Sequence, residues 1–443
     1  MNEELALEIG PIAHGGHCVA HTEDGQLVFV RHTAPGERVR ARVTKRGRYW
    51  QADAVEVLEP SVHRVPSVWP AAGPGGVGGA EFGHLEPGYQ RELKAEVITD
   101  CLRRTGSRAL AEHVAQRVGA VTVSAVEAVE AAAGQDGQGG QHRQVGQQRQ
   151  GGRTRIEAVV NAEGRLAMHR HASHELVELT DMPLAVPELR ELGLFGPDSP
   201  WRKLWRPGDR VRAVAPSASP VLVGIEGKFY TADRQEAPAT VVERVDSPVG
   251  ELTYQLDAAG FWQVQRGAPA ALVAGVMDLA RPQPGERILE LYSGAGLFSQ
   301  ALGRAVATGS GGRKAGGGSV VTVEGSPRAV RAARRNCHGL PVTALSGSVD
   351  PAGITKAAAK LGGQVDLVVL DPPRAGARGP VMRAVCQLGA RAIVLVACDP
   401  AALARDCEAA TQEGYWPTQL RAWDLFPNTH HVESMVLLQP VGK

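Results

Sequence analysis

Arg287-Ile288-Leu289-Glu290-Leu291-Tyr292-Ser293-Gly294-Ala295-Gly296-Leu297-Phe298 is the stretch whose reading decides the fold. It opens as a short apolar strand. Two glycines then turn the chain, and Leu297 to Ala305 reads as a helix. The same strand-then-helix rhythm continues downstream. Val320–Glu324 is a strand, Pro327–Cys337 is a basic helix with Arg328, Arg331, Arg334 and Arg335, and Val365–Asp371 and Ala392–Cys398 are further strands. Val432–Gln439 reads as a closing strand, and residues 308–319 as a flexible Gly-rich insertion. Alternating strands and helices predict a mostly parallel, doubly wound α/β sheet over residues 246–443, covered on both faces.

Upstream the pattern differs. In residues 1–60, Val39, Ala41 and Val43 alternate with Arg38, Arg40 and Arg42, the period of a half-buried strand. Turns at Asp24-Gly25 and Pro35-Gly36 bound another strand, so this part reads as a small OB-like β-barrel. Lys45, Arg46 and Arg48 beside Tyr49 and Trp50 suit a nucleic-acid backbone and stacked bases, or equally a solvated basic strand. Residues 61–245 are less regular and read as a small α+β region, with a helix from Pro87 to about Arg104 and a strand at Thr154–Val160. The Gly/Gln/Arg tract at 134–153 reads as a disordered insertion.

The 443 residues are enough for two or three domains. No uncharged stretch is long enough to span a membrane, and the acidic start Met1-Asn2-Glu3-Glu4 is unlike a secretory signal. With 48 Lys and Arg against 47 acids, the net charge of +1 excludes a globally basic nucleic-acid coat. Six cysteines are too sparse for a disulfide scaffold and point to a reducing, cytoplasmic setting. Monomer is the default expectation.

The chemistry-bearing residues fall at expected strand ends, where open α/β sheets bind ligands. Gly294 and Gly296 let backbone approach a ligand closely, and Glu324 is well placed to bond ribose hydroxyls. The third glycine of the dinucleotide fingerprint is missing, since Ser299 follows Phe298. Acids at both strand ends, Glu290 and Glu324, with a two-glycine turn suit S-adenosylmethionine, which has no pyrophosphate to cradle; a structural turn with a surface acid is the plainer reading. Asp371-Pro372-Pro373-Arg374 makes Asp371 a rigid acceptor at the sheet edge. Cys398, in Ala397-Cys398-Asp399-Pro400, is a candidate nucleophile whose thiolate would serve near neutral pH. Cys386 and Cys407 read as core, and Cys18, Cys101 and Cys337 show no metal-ligand spacing. His430 and His431, taken as strand neighbours, would face opposite ways and not share a metal. Glu433 enters an apolar strand, where desolvation would raise its pKa and fit it for proton transfer.

Phe261-Trp262-Gln263-Val264-Gln265, Glu290 to Ser299, Asp371 to Gly376, Ala397 to Pro400 and Phe426 to Glu433 occur in this order. Together they resemble the RNA 5-methyluridine methyltransferase family, and residues 1–60 resemble the TRAM barrel that often precedes its catalytic domain. The resemblance implies a Rossmann-like S-adenosylmethionine methyltransferase domain acting on transfer or ribosomal RNA. It implies Cys398 as nucleophile at uracil carbon 6 and Glu433 as the base that removes the carbon 5 proton. It implies cofactor contacts at Gln263, Tyr292, Gly294, Gly296, Glu324 and Asp371, and target-base contacts at Gln263, Asp371 and Arg374. Many family members carry a four-cysteine iron–sulfur cluster. Val77, Ala80 and Met182 stand at three of the matching positions, and cluster ligation needs thiolates, so no cluster and no metal are expected. Gln265 replaces the family's usual Asn, Leu297 stands at a position often Asn, and Ser293 replaces a frequent Cys. Two alternatives remain: an RNA-binding protein with a decayed site, and a methyltransferase acting on cytosine or a base nitrogen.

Overall fold

A computed structural model describes residues 3–126, 151–307 and 317–441. Most of the expected insertions, at 134–150 and 308–316, lie outside the described residues. The expected insertion boundaries are corrected at their ends. Gly151 and Arg153 donate backbone N–H bonds to Pro183 and Leu184, so residues 151–153 do not belong to a disordered tract. Ser319 is the first residue of the strand Ser319–Glu324.

The first strands form a six-stranded half-barrel in the order Glu4–Glu8, Arg38–Lys45, Trp50–Glu59, Leu27–Arg31, His17–His21, Ile12–Ala13. Val39, Ala41 and Val43 point inward and Arg38, Arg40 and Arg42 outward, as the alternation requires. The middle of the chain contributes a seven-stranded antiparallel sheet between Arg155–Val160 and Glu236–Ala237. The hairpin Thr240–Val245/Leu252–Asp257 leads into the last part of the chain. Val77, Ala80 and Met182 pack in one apolar cluster with Trp69 and Leu184. Among the described residues no group of three His, Cys, Asp or Glu could hold a metal ion, and no helix is long and apolar enough to cross a membrane.

The third sheet has eight strands in the order Val342–Ser346, Ser319–Glu324, Arg287–Leu291, Leu367–Leu370, Ala392–Ala397, Glu433–Pro440, Tyr415–Asp424, Val123–Ala125. The first five are parallel, and Glu433–Pro440 runs antiparallel beside Ala392–Ala397. Its strands are apolar on both faces because both are covered. Leu289, Leu291, Val368 and Leu370 join a core that continues into the half-barrel through Val28, Val30 and Val39. Ile288, Leu367, Val369 and Val394 pack on the other side against Leu272, Val276 and Leu302.

Helix α1 (Pro87–Cys101) joins these layers. It starts on a proline at its first position and widens into a π-helical turn over Leu102–Gly106, so the helical stretch runs through the expected Arg104. Its buried face carries Leu93, Val97 and Ile98, but also Gln90 and Lys94. The Lys94 Nζ donates to Asp424 Oδ1 at 2.6 Å and to the Phe426 carbonyl at 3.1 Å. Gln90 Nε2 donates to Asn428 Oδ1 at 3.2 Å, and its Oε1 accepts from the Asn428 N–H at 2.8 Å. Burial pulls the Lys94 pKa down, and Asp424 offsets part of that pull. Removing one partner of a buried ion pair strands the other. Lys94→Met should therefore cost about 3 kcal/mol in urea unfolding, and adding Asp424→Leu should recover most of it, since an apolar pair of similar size fits such sites.

Candidate active site

Two registers assemble the site. Along the parallel strands, Tyr292, Glu324, Asp371 and Cys398 all stand at carboxyl ends. The strand order switches direction around Arg287–Leu291, the usual crevice position in an open sheet. In the antiparallel pair, Ala397 stands opposite Ser434, so the residue after Ala397 faces the residue before Ser434. Cys398 and Glu433, 35 positions apart, thus become neighbours across two strands.

A cavity of about 1040 Å³ opens over these strand ends. Gln263, Tyr292, Gly294, Glu324, Asp371, Arg374, Cys398 and Glu433 all line it. Gly296 does not; it caps the helix Leu297–Val306 at φ 91, with its Cα side against Ala333 and Cys337. Gly294 has φ 53, and a Cβ there would project into open space. Tyr292 adopts φ 61, held by its N–H bond of 2.9 Å to the Val323 carbonyl. Glu324 accepts the Gly294 N–H at 3.0 Å and the Ser326 N–H at 2.7 Å, which fixes its carboxylate at the cavity wall. The buried Ser293 hydroxyl has no hydrogen-bond partner among the described residues. Phe261, 81% exposed, stands at the cavity.

Three sequence expectations need correction. Glu290 is not a cavity acid: it is fully buried, bonded at 2.5 Å to the Ser299 hydroxyl, and burial lifts its pKa to about 8. His430 and His431 do not face opposite ways. They precede the strand, which starts at Glu433, and in this bend their rings lie 4.0 Å apart. The Cys398 thiol is not poised to ionise near neutral pH. Burial, then the nearby Glu433 and Asp371, push it up to about 12, against a smaller opposing pull from Arg374. Cys398 is nonetheless the one cysteine of the six that is not fully buried. Burial also raises Asp371 to about 7 and Glu433 well above the carboxylate range, each disfavouring the other's charge. Gln265 is buried beside a separate small pocket, its Oε1 unpartnered, and does not line the main cavity.

Supporting residues that the sequence did not mark surround this floor. Gln90 and Lys94 hold the Asp424–Asn428 turn that leads to Glu433. From the half-barrel, His14 Nε2 bonds Asp399 Oδ2 at 2.8 Å, and Gly16 packs so tightly that a Cβ would meet His430 Cβ at 2.7 Å. Arg374 Nη2 lies 3.1 Å from His431 Nε2. Arg153 reaches the cavity from the middle region. A polar Gln and Lys four residues apart on a helix were visible as a pattern, but not which face they occupied.

Residues 2–50 match the TRAM domain model and residues 362–441 the tRNA (uracil-5-)-methyltransferase model. An uncharacterized RNA methyltransferase of Streptomyces avermitilis is 39% identical over the whole of both chains. A 23S rRNA (uracil(1939)-C(5))-methyltransferase of Alkalilimnicola ehrlichii is 31% identical, covering 99% of this chain and 97% of its own. The chain belongs to the RNA uracil-C5 methyltransferase family. It is an S-adenosylmethionine-dependent methyltransferase with RNA as its substrate. Its fold is shared with the Pyrococcus abyssi tRNA (uracil-54, C5)-methyltransferase solved with S-adenosyl-L-homocysteine, at 19% identity, a TM-score of 0.65, and coverage of 98% and 99% of the two chains.

The buried acid Glu290 gives this methyltransferase a pH signature. Its folded pKa of about 8 lies above the ~4.3 of an unfolded glutamate, so its contribution is full at low pH and is lost as pH rises toward 8. Glu290→Gln keeps the shape without the titration. Its melting temperature relative to wild type should climb steadily between about pH 5 and 8, measured by thermal melts across that range.

Proposed function

We propose that this enzyme methylates carbon 5 of a uridine by covalent catalysis, with Cys398 as nucleophile and Glu433 as base. The observation that carries the reading is the strand register that makes Cys398 and Glu433 neighbours in the cavity shared with Tyr292, Gly294 and Glu324. Gln263, Tyr292, Gly294, Glu324 and Asp371 would hold the cofactor; open space at Gly294, the fixed Glu324 carboxylate and the unpartnered Ser293 hydroxyl fit a ligand of that polarity. When bound, S-adenosylmethionine supplies an electrophilic methyl group on a positive sulfur, and that charge favours the ionised forms of the acids and thiol around it.

Uracil carbon 5 is a weak nucleophile. Cys398 Sγ, having lost its proton, forms a bond to carbon 6, and the ring electrons move to carbon 5 and the carbon 4 oxygen. Once carbon 5 carries the methyl group, the Glu433 carboxylate takes the proton from it. The electron pair left behind rebuilds the ring double bond and expels Cys398 as thiolate. Gln263, Asp371 and Arg374 would orient the base, which must leave its stack to enter. A reducing cytoplasmic setting suits a free reactive cysteine. The full-length likeness to a 23S rRNA enzyme favours ribosomal RNA as the substrate.

Methyl transfer from radiolabelled cofactor into RNA tests the reading. Cys398→Ala should lose at least about a thousandfold in rate. Glu433→Gln should slow turnover by about a hundredfold or more and accumulate a protein–RNA band that survives denaturation, because the methylated adduct cannot shed its proton. Full activity in Cys398→Ala rules out the covalent route. Since burial disfavours the ionised forms of Asp371, Glu433 and Cys398, the single-turnover rate should rise with pH between about 6 and 9.

A further inference from the structure

The cavity lining carries three arginines. Arg328 is paired with Asp257, and Arg374 lies against His431. Arg153 makes no side-chain hydrogen bond or ion pair among the described residues. The acid that acts on it is Glu81, whose Oε1 accepts the Gly79 N–H at 3.0 Å while its Oε2 faces His430 Nδ1 at 3.6 Å with no hydrogen-bond partner among the described residues. Burial pulls the Arg153 pKa down, and Glu81 only partly offsets it. A guanidinium stays charged regardless. A half-buried cation with no partner of its own is open to an anion arriving in the cavity, and a charge-assisted bond there is a strong one.

The backbone fixes where this cation stands. Arg153 forms an isolated bridge with Gln265, and the Thr154 N–H donates to the Val264 carbonyl at 2.7 Å, so Arg153 stands opposite Gln265 where the pairing runs back toward Gln263. Its companions in the lining are Gly78, Gly79, Glu81 and Met168, which belong to the middle of the chain and not to the loops of the parallel sheet. Gly79, at φ 103, has nothing within 4 Å of a Cβ position, which leaves room for a chain to pass. Arg374, the other cation of this lining without an acidic partner among the described residues, lies against His431 and is assigned above to the base, which leaves Arg153 for the RNA backbone.

We propose that Arg153 is an RNA-anchoring residue whose guanidinium takes a backbone phosphate beside the target uridine, an inference that rests on the function proposed above. A flipped nucleotide brings its phosphates to the pocket, and a bidentate arginine on one of them fixes register without reading sequence.

The test uses the full-length enzyme, radiolabelled S-adenosylmethionine and RNA. With Arg153→Gln, KM for RNA should rise about tenfold, and the log–log dependence on salt between about 50 and 200 mM should lose about one unit of slope. The rate at saturating RNA and KM for the cofactor should hold. Arg153→Lys should restore the slope and only part of the affinity, since it keeps the charge but not the fork. A rise confined to the cofactor's KM would overturn the proposal in favour of the cofactor carboxylate, and unchanged RNA affinity and slope would overturn it outright. Phenylglyoxal modification of the unsubstituted enzyme probes the same contact without a substitution. RNA, and not the cofactor, should protect Arg153 in the mapped peptides, and absence of RNA protection counts against the proposal. That readout needs no turnover: failure of the methylation reading shows as no label entering RNA, and failure of this one as no protection of Arg153.

Discussion

A lysine with no solvent contact anchors this molecule. Lys94 can stay in the core only because Asp424 and the Phe426 carbonyl meet its three-donor head. One turn earlier, Gln90 closes both halves of its amide on Asn428. Together they hold the turn that feeds Glu433 into its strand, and that strand's register sets Glu433 across from Cys398. The half-barrel closes on the same turn from the other side, with Gly16 against His430 and His14 on Asp399. Three parts of the chain, remote in sequence, thus converge on a few residues around one cysteine. A rigid setting of this kind is what proximity catalysis requires, because small misplacements of reacting groups are costly.

The electrostatics complement this rigidity. Asp371 and Glu433 are buried together, and neither ionises as readily as an exposed carboxylate. They in turn keep the Cys398 proton in place. The free protein therefore holds Cys398 as a thiol, the form less open to oxidation and to stray electrophiles.

Much of this was legible in the sequence. The parallel sheet followed from apolar strands alternating with helices, and the strand ends that carry Tyr292, Glu324, Asp371 and Cys398 fell where the periodicity put them. The Arg38–Lys45 alternation foretold the half-barrel face. What was hidden depends on partners remote in sequence. Nothing local in Gln90 or Lys94 says that they point inward, since Asp424 and Asn428, which they hold, lie 330 and 338 positions away. Arg153 reads as the tail of a Gly/Gln/Arg tract, and only backbone pairing with Gln265 brings it to the cavity. The paired histidine rings escape a reading by strand alternation because the strand begins two residues later, at Glu433. The thiol's reluctance to ionise arises first from its burial and then from two acids supplied by neighbouring strands, none of which is local in sequence.

The central claim is that Cys398 becomes covalently bonded to the uracil ring. Incubating the enzyme and cofactor with RNA carrying 5-fluorouridine tests it directly, since fluorine cannot leave as a proton does and the adduct is trapped. Mass spectrometry of the digested complex should find the nucleotide on the peptide that contains Cys398. Methyl transfer into ordinary RNA without any such adduct, or an adduct on a different residue, would contradict it.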